Sequence, residues 1–89
     1  MSRISTALDN NFTALCMLRD ELALRTALLE ADLKDRWNEL EAKMDTLREH
    51  IGRAEVAADH ALPQIEVAAQ ILLETIRNGY TELKHAMKI

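Results

Sequence analysis

The sequence has little of what a β-sheet or a large globular core requires. Its 89 residues include only two glycines, Gly52 and Gly79, and one proline, Pro63, which are too few turn formers for a sheet of several strands. Aromatic residues make up 3% of the chain although 48% is hydrophobic, so the apolar mass is mainly Leu, Ala, Ile and Met, which suit helix seams. These absences predict an all-α protein with a single helical domain over residues 1–89.

Other absences exclude several functional classes. The net charge is −4, and the acidic and basic residues are interspersed, so the basic stripe typical of nucleic-acid binding is missing. The single cysteine, Cys16, excludes an internal disulfide framework and fits a reducing compartment. The longest stretch without Asp, Glu, Lys or Arg, residues 10–18, is too short for the roughly 20 residues that cross a bilayer. We therefore expect a soluble, cytoplasmic protein without a transmembrane segment or a nucleic-acid partner.

The apolar residues that are present repeat with the spacing of a coiled-coil seam. From Leu33 to Ala61 they alternate between four-residue and three-residue steps, the pattern that keeps one helix face against a partner. Pro63 interrupts this pattern because it lacks an amide donor and clashes with the preceding turn. We predict an antiparallel helical hairpin made of these elements: a helix over about 6–60, a turn near 61–63 and a helix over about 64–88.

The two arms of this hairpin differ in length, which predicts self-association. At 1.5 Å per residue the first helix is about 80 Å long and the second about 38 Å, so the second covers only half of the first. The uncovered half carries an apolar stripe, and a bare patch of that size normally marks an interface. We predict a homodimer with a four-helix-bundle core, whose interface residues are Leu8, Phe12, Leu15, Leu22, Leu29, Leu33 and Trp37.

Two alternative folds remain open. The heptad phase continues almost unbroken through Pro63, so one long helix with a kink there is compatible with the pattern. A break at Ala31–Asp32, with Asp32 as the N-cap of a new helix, would instead give three helices of similar length. No glycine or proline marks that break, and we therefore prefer the hairpin to the three-helix bundle.

The residues able to carry chemistry do not form a recognisable site. Glu82 and His85 have the Glu-x-x-His spacing of di-metal helical proteins, but the helical pattern turns them away from the inner face. His50 and His60 are ten residues apart and lack metal-ligand spacing, and Cys16 has no predicted base beside it. We predict no catalytic, cofactor-binding or metal-binding residue, and therefore no enzyme.

The expected function is accordingly an interaction role. We predict a non-enzymatic helical assembly module, such as an adaptor, a small chaperone or a scaffold, which acts through coiled-coil self-association. Arg19 and Thr26 interrupt the N-terminal stripe, and imperfect seams often encode partner choice. An obligate coiled-coil partner of a different helical protein is therefore the alternative. A membrane-surface helix is less favoured, because such helices are usually basic and rich in large rings.

Overall fold

The computed structural model describes residues 5–87 and consists of three α-helices. Helix α1 spans Thr6–Ala23, α2 spans Ala31–Val56 and α3 spans Leu62–Ala86. A short 3₁₀ turn, Thr26–Leu28, lies between α1 and α2. Residues 5–87 include no β-strand, so the predicted all-α class is confirmed.

Polar side chains satisfy backbone groups at both ends of α1. The backbone of Ser5 is extended, and its Oγ accepts a hydrogen bond from the N–H of Leu8 at 3.2 Å. This bond satisfies one of the first-turn amides that have no acceptor within the helix. At the other end, Oγ1 of Thr26 donates to the carbonyl of Ala23 at 3.2 Å, one of the carbonyls left without a helical amide. The helix therefore stops without any helix-breaking residue.

The link between α1 and α2, residues 24–30, corrects the prediction of one helix over about 6–60. The chain reverses direction at this link and becomes helical again at Ala31. The reversal lets α3 cover the apolar stripe of α1, and this burial is the physical reason for the break. The alternative with three helices is therefore confirmed. Its predicted cap was wrong, because Glu30 rather than Asp32 occupies the N-cap position, with an extended backbone and no side-chain capping bond.

The second reversal is a true turn and not a kinked helix. Helix α2 ends at Val56, and the chain turns over residues 57–61, a few residues before the predicted turn near 61–63. Pro63 lies in the first turn of α3, where its missing N–H costs no helical hydrogen bond. The predicted final residue of this helix, 88, lies outside the described residues.

Helices α1 and α3 run parallel to each other. The N–H of Ser5 donates to Oε1 of Glu66 at 2.9 Å near the start of both helices. Near their ends, Nζ of Lys84 lies 3.5 Å from Oε1 of Glu21. The two helices therefore start at the same end of the bundle and finish at the other. Three consecutive helices that run up, down and up require this arrangement.

Helix α2 runs antiparallel to α3 and completes the bundle. Arg36, near the start of α2, lies 3.2 Å from Glu82, near the end of α3. The backbone of α3 packs closely against both α1 and α2, whereas the backbones of α1 and α2 stay further apart. The described residues form a rod of 44 × 19 × 16 Å. Its core is one apolar cluster of Leu8, Leu15, Leu22, Leu29, Trp37, Leu40, Met44, Leu47, Ala54, Ala69, Leu73, Ile76, Tyr80 and Leu83.

Helices α2 and α3 approach each other closely at Gly79. A Cβ atom placed on Gly79 would lie 2.5 Å from Cδ2 and 3.0 Å from Cδ1 of Leu40. Leu40 is itself buried, so its side chain has little room to move aside. Gly52, in the last two turns of α2, is exposed, and a Cβ there would meet nothing within 4 Å.

We therefore expect Gly79→Ala and Gly52→Ala to have opposite effects on stability. Alanine stabilises a helix over glycine by about 1 kcal/mol. Gly52→Ala should therefore raise the free energy of unfolding by about that amount, and the thermal midpoint should rise with it. At Gly79 the clash with Leu40 adds an overpacking penalty of about 1–3 kcal/mol, so Gly79→Ala should lower the midpoint. Thermal unfolding followed by circular dichroism measures both. A stabilising Gly79→Ala would contradict the close approach described above.

Candidate functional site

The predicted interface residues lie inside the chain's own core. Leu8, Leu15, Leu22, Leu29 and Trp37 are buried. Phe12 and Leu33 are partly buried and pack against the same cluster. The premise that the N-terminal stripe is exposed was therefore wrong. Helix α3 of the same chain covers this stripe, which the hairpin prediction assigns to a second copy.

The gap between α1 and α2 is bridged by a charged pair. Nε of Arg19 donates to Oε1 of Glu41 at 2.9 Å, and Nη2 donates to Oε2 at 2.7 Å. This two-point geometry between a guanidinium and a carboxylate is the most directional ion pair available to side chains. Nη1 of Arg19 also reaches Asp20 at 3.2 Å. This pair therefore connects two helices whose backbones approach each other less closely than either approaches α3.

Two aromatic rings complete this cluster and connect it to α3. The Tyr80 hydroxyl lies 3.4 Å from Oε1 of Glu41, and the rings of Tyr80 and Trp37 have centroids 5.7 Å apart with planes tilted by 37°. The guanidinium carbon of Arg19 lies 5.9 Å from the centroid of the Trp37 ring, within the range of a cation–π contact. All three helices therefore contribute to one polar and aromatic junction.

The electrostatics of this junction suit a structural role. Hydrogen bonds from Arg19 hold the pKa of the Glu41 carboxyl below its ordinary value. The same bonds raise the pKa of the Arg19 guanidinium, and burial raises the pKa of the Tyr80 phenol. All three pKa values move away from neutrality, whereas groups that transfer protons in catalysis are poised near the working pH. The junction therefore keeps one fixed charge pattern at neutral pH.

An open groove of about 300 Å³ lies between the link and the start of α2. It is lined by Thr26, Ala27, Lys34, Trp37 and Asn38. Trp37, which lines the groove, also belongs to the core. The groove is therefore an open recess at the link end of the rod, with a lining that is partly polar and partly apolar.

Large exposed aliphatic side chains lie beside this groove and elsewhere on the surface. Leu24 and Leu28, both in the link, are 87% and 72% exposed. Val67 and Ile71 lie one turn apart on the outer face of α3 and are about equally exposed, at 60% and 61%. These two pairs, one on the link and one on α3, are the candidate interaction surfaces.

The candidate metal and nucleophile residues are not brought together. Glu82 pairs with Arg36, and Nδ1 of His50 lies 2.9 Å from the carbonyl of Thr46 in its own helix. Cys16 is half-buried against the core and is a free thiol. Residues 5–87 contain no group of three or more metal-ligating side chains arranged to hold an ion.

Comparisons with protein-family models, with curated proteins and with solved structures find no match to this chain. None of its described helices combines the length and apolar character needed to cross a bilayer.

We expect Arg19→Met to destabilise the fold in a pH-dependent way. Methionine keeps an apolar stem but leaves the Glu41 carboxylate without its cation, which should lower the free energy of unfolding by about 1 kcal/mol at neutral pH. Since the folded-state pKa of Glu41 is lowered, its contribution is complete above the unfolded-state pKa and is lost as the pH falls through the folded-state pKa. The deficit should therefore shrink in acid.

Urea denaturation at neutral pH and at about pH 3, below the ordinary pKa of Glu, measures this change. Arg36→Met is the matched control, because the Arg36–Glu82 pair also joins two helices but is more exposed. A deficit of the same size at both pH values would argue against the ion pair as its cause.

Proposed function

We propose that this chain is a non-enzymatic helical interaction module that associates with a second copy of itself. The exposed leucines of the link, Leu24 and Leu28, carry this proposal. In the sequence they flank Thr26 and Ala27, two of the residues that line the groove together with Trp37. Exposed apolar side chains that lie close together are candidates for an interface, and tryptophan is enriched among the residues that dominate binding energy.

The link end offers both halves of a symmetric contact. Each copy presents projecting leucines and a groove, so two copies related by a two-fold axis can insert the leucines of one into the groove of the other. The charges around this surface are mixed, with Arg25 and Lys34 opposing Glu30, Asp32 and Asp35. Two such surfaces can therefore meet without strong repulsion between like charges. An adaptor or scaffold role would follow from this pairing.

A second candidate function, binding to a different helical protein, is favoured by the outer face of α3. Val67 and Ile71 are one turn apart there, and Gln64 and Ala68 beside them carry no charge. An uncharged strip with two branched aliphatic side chains is suited to a partner helix laid along it.

We expect the wild-type chain to form dimers in the micromolar range and Leu24→Ser/Leu28→Ser to weaken them at least tenfold. Burying a leucine is worth about 1.5–3 kcal/mol, and both residues are exposed in the single chain, so the fold itself should be unaffected. Sedimentation equilibrium over a range of concentrations, with reductant present, measures the dissociation constant. Leu15 and Leu22 are unsuitable for this test because both are buried.

Val56→Ser is the matched control for this experiment. Val56 is 84% exposed but lies at the opposite end of α2 from the link, so its substitution should leave the dimer intact. A wild-type chain that stays monomeric at every concentration would refute self-association, and a shift in mass on adding peptides of other helical proteins would then support the second candidate.

A further inference from the structure

We infer that α1 is an exchangeable arm: in a dimer, α1 of each copy packs on the α2–α3 hairpin of the other while the link becomes helical. The inference rests on the proposed self-association and replaces the contact of leucines with the groove by one in which α1 itself holds the second copy. The receiving surface is the one that α1 occupies in the single chain, and its occupant is the α1 helix of a second copy. Exchange of an identical element is a common route to dimers.

The composition of the link permits this change. Residues 24–30 include no Gly, Pro, Asn or Asp, and Thr26 is the one residue among them that is not a strong helix former. Residues Thr26–Leu28 are already in a 3₁₀ turn, which is close to α-helical geometry. The reversal is therefore imposed by the docking of α1 and not by the local sequence.

The side-chain pairs that hold α1 are compatible with exchange. Glu41 receives Arg19 through two hydrogen bonds, and Lys84 reaches Glu21. Every one of these contacts can form equally well with the α1 of a second copy, because the receiving residues belong to α2 and α3. The exchanged dimer therefore loses none of the polar contacts of α1.

The register of α1 against α2 places the two-fold axis at the link. Arg19 lies opposite Glu41 in the single chain. If two straight helices over residues 6–56 pair antiparallel with this register, the axis passes beside Glu30, the last residue of the link. Leu24 and Leu28 of both copies then lie within two helical turns of the axis. The exchange therefore brings the copies together at the end of the rod that carries the exposed leucines.

The balance between the two forms depends on concentration. The link tethers α1 to its own hairpin at an effective concentration of the order of millimolar for a short flexible connection. The exchanged form regains helical hydrogen bonds along the link in both copies. Exchange should therefore increase with chain concentration and with conditions that transiently release α1.

The substitution Ala31→Pro distinguishes the folded-back single chain from the exchanged dimer. Ala31 is the first residue of α2, and the preceding Glu30 has φ −71° and ψ 166°, the extended conformation that proline requires before it. The single-chain form therefore accepts proline at the first helical position. A continuous helix over residues 6–56 does not, because proline in a helix interior costs about 3 kcal/mol or more. The dissociation constant of the dimer should rise more than about 100-fold.

Circular dichroism and Trp37 fluorescence check that the Ala31→Pro chain remains folded, and Ala31→Ser is the control that keeps the backbone N–H. If Ala31→Pro dimerises as well as the wild type while Leu24→Ser/Leu28→Ser does not, exchange is refuted and self-association through the link surface stands. If the wild type itself never dimerises, both the exchange and the proposed self-association are refuted.

A cross-linking experiment identifies the exchanged arm directly. Two variants are made in a Cys16→Ser background, one with Glu21→Cys and the other with Lys84→Cys. They are mixed, unfolded and refolded at millimolar chain concentration, and treated with a short thiol cross-linker. Positions 21 and 84 are neighbours across α1 and α3, and each variant carries a cysteine at only one of them. Exchange therefore yields covalent dimers with one chain of each variant. These dimers have twice the mass of one chain after denaturation. If the mixture forms dimers and none of them contains one cross-linked chain of each variant, exchange is refuted.

Discussion

The burial of the leucine stripe of α1 on α3 is the interaction on which the rest of the structure depends. Leu8, Leu15 and Leu22 are almost completely buried, and each contributes about 1.5–3 kcal/mol. Continuing the helix through the link would gain only a few helical hydrogen bonds, each worth about 0.5–1.5 kcal/mol net. The folded-back chain therefore prevails over the locally preferred continuous helix, and α1 ends where the stripe has been covered.

This competition explains which parts of the fold were predictable from the sequence. The all-α class follows from the spacing of the apolar residues, and the start of α3 beside Pro63 follows from the missing amide donor of that proline. Both are local properties that can be read from the sequence. The break over residues 24–30 has no helix-breaking residue, and its traces in the sequence were Asp32 as a possible N-cap and the change of spacing at Leu29, Leu33 and Trp37. The choice between a hairpin dimer and a three-helix chain therefore depended on tertiary burial.

The polar junction could be predicted only in part, for the same reason. Arg19 was visible as a charged interruption of an apolar stripe, which we interpreted as a sign of partner choice. Its partner could not be identified before the reversal was known, because only the register of α1 against α2 brings Arg19 to Glu41. Leu24 and Leu28 were likewise unremarkable in the sequence and become a surface only where the chain leaves the helix.

The odd number of helices has a mechanical consequence. Because α1 and α3 run parallel, residue 5 and residue 87 lie at opposite ends of a rod 44 Å long. A pulling force applied between these two residues acts along the helix axes and loads the contact between α1 and α3 in shear, with many side chains resisting together. The same two residues in a two-helix hairpin would lie at one end, and the force would separate the helices one contact at a time. This bundle is thus suited to carrying tension along its length.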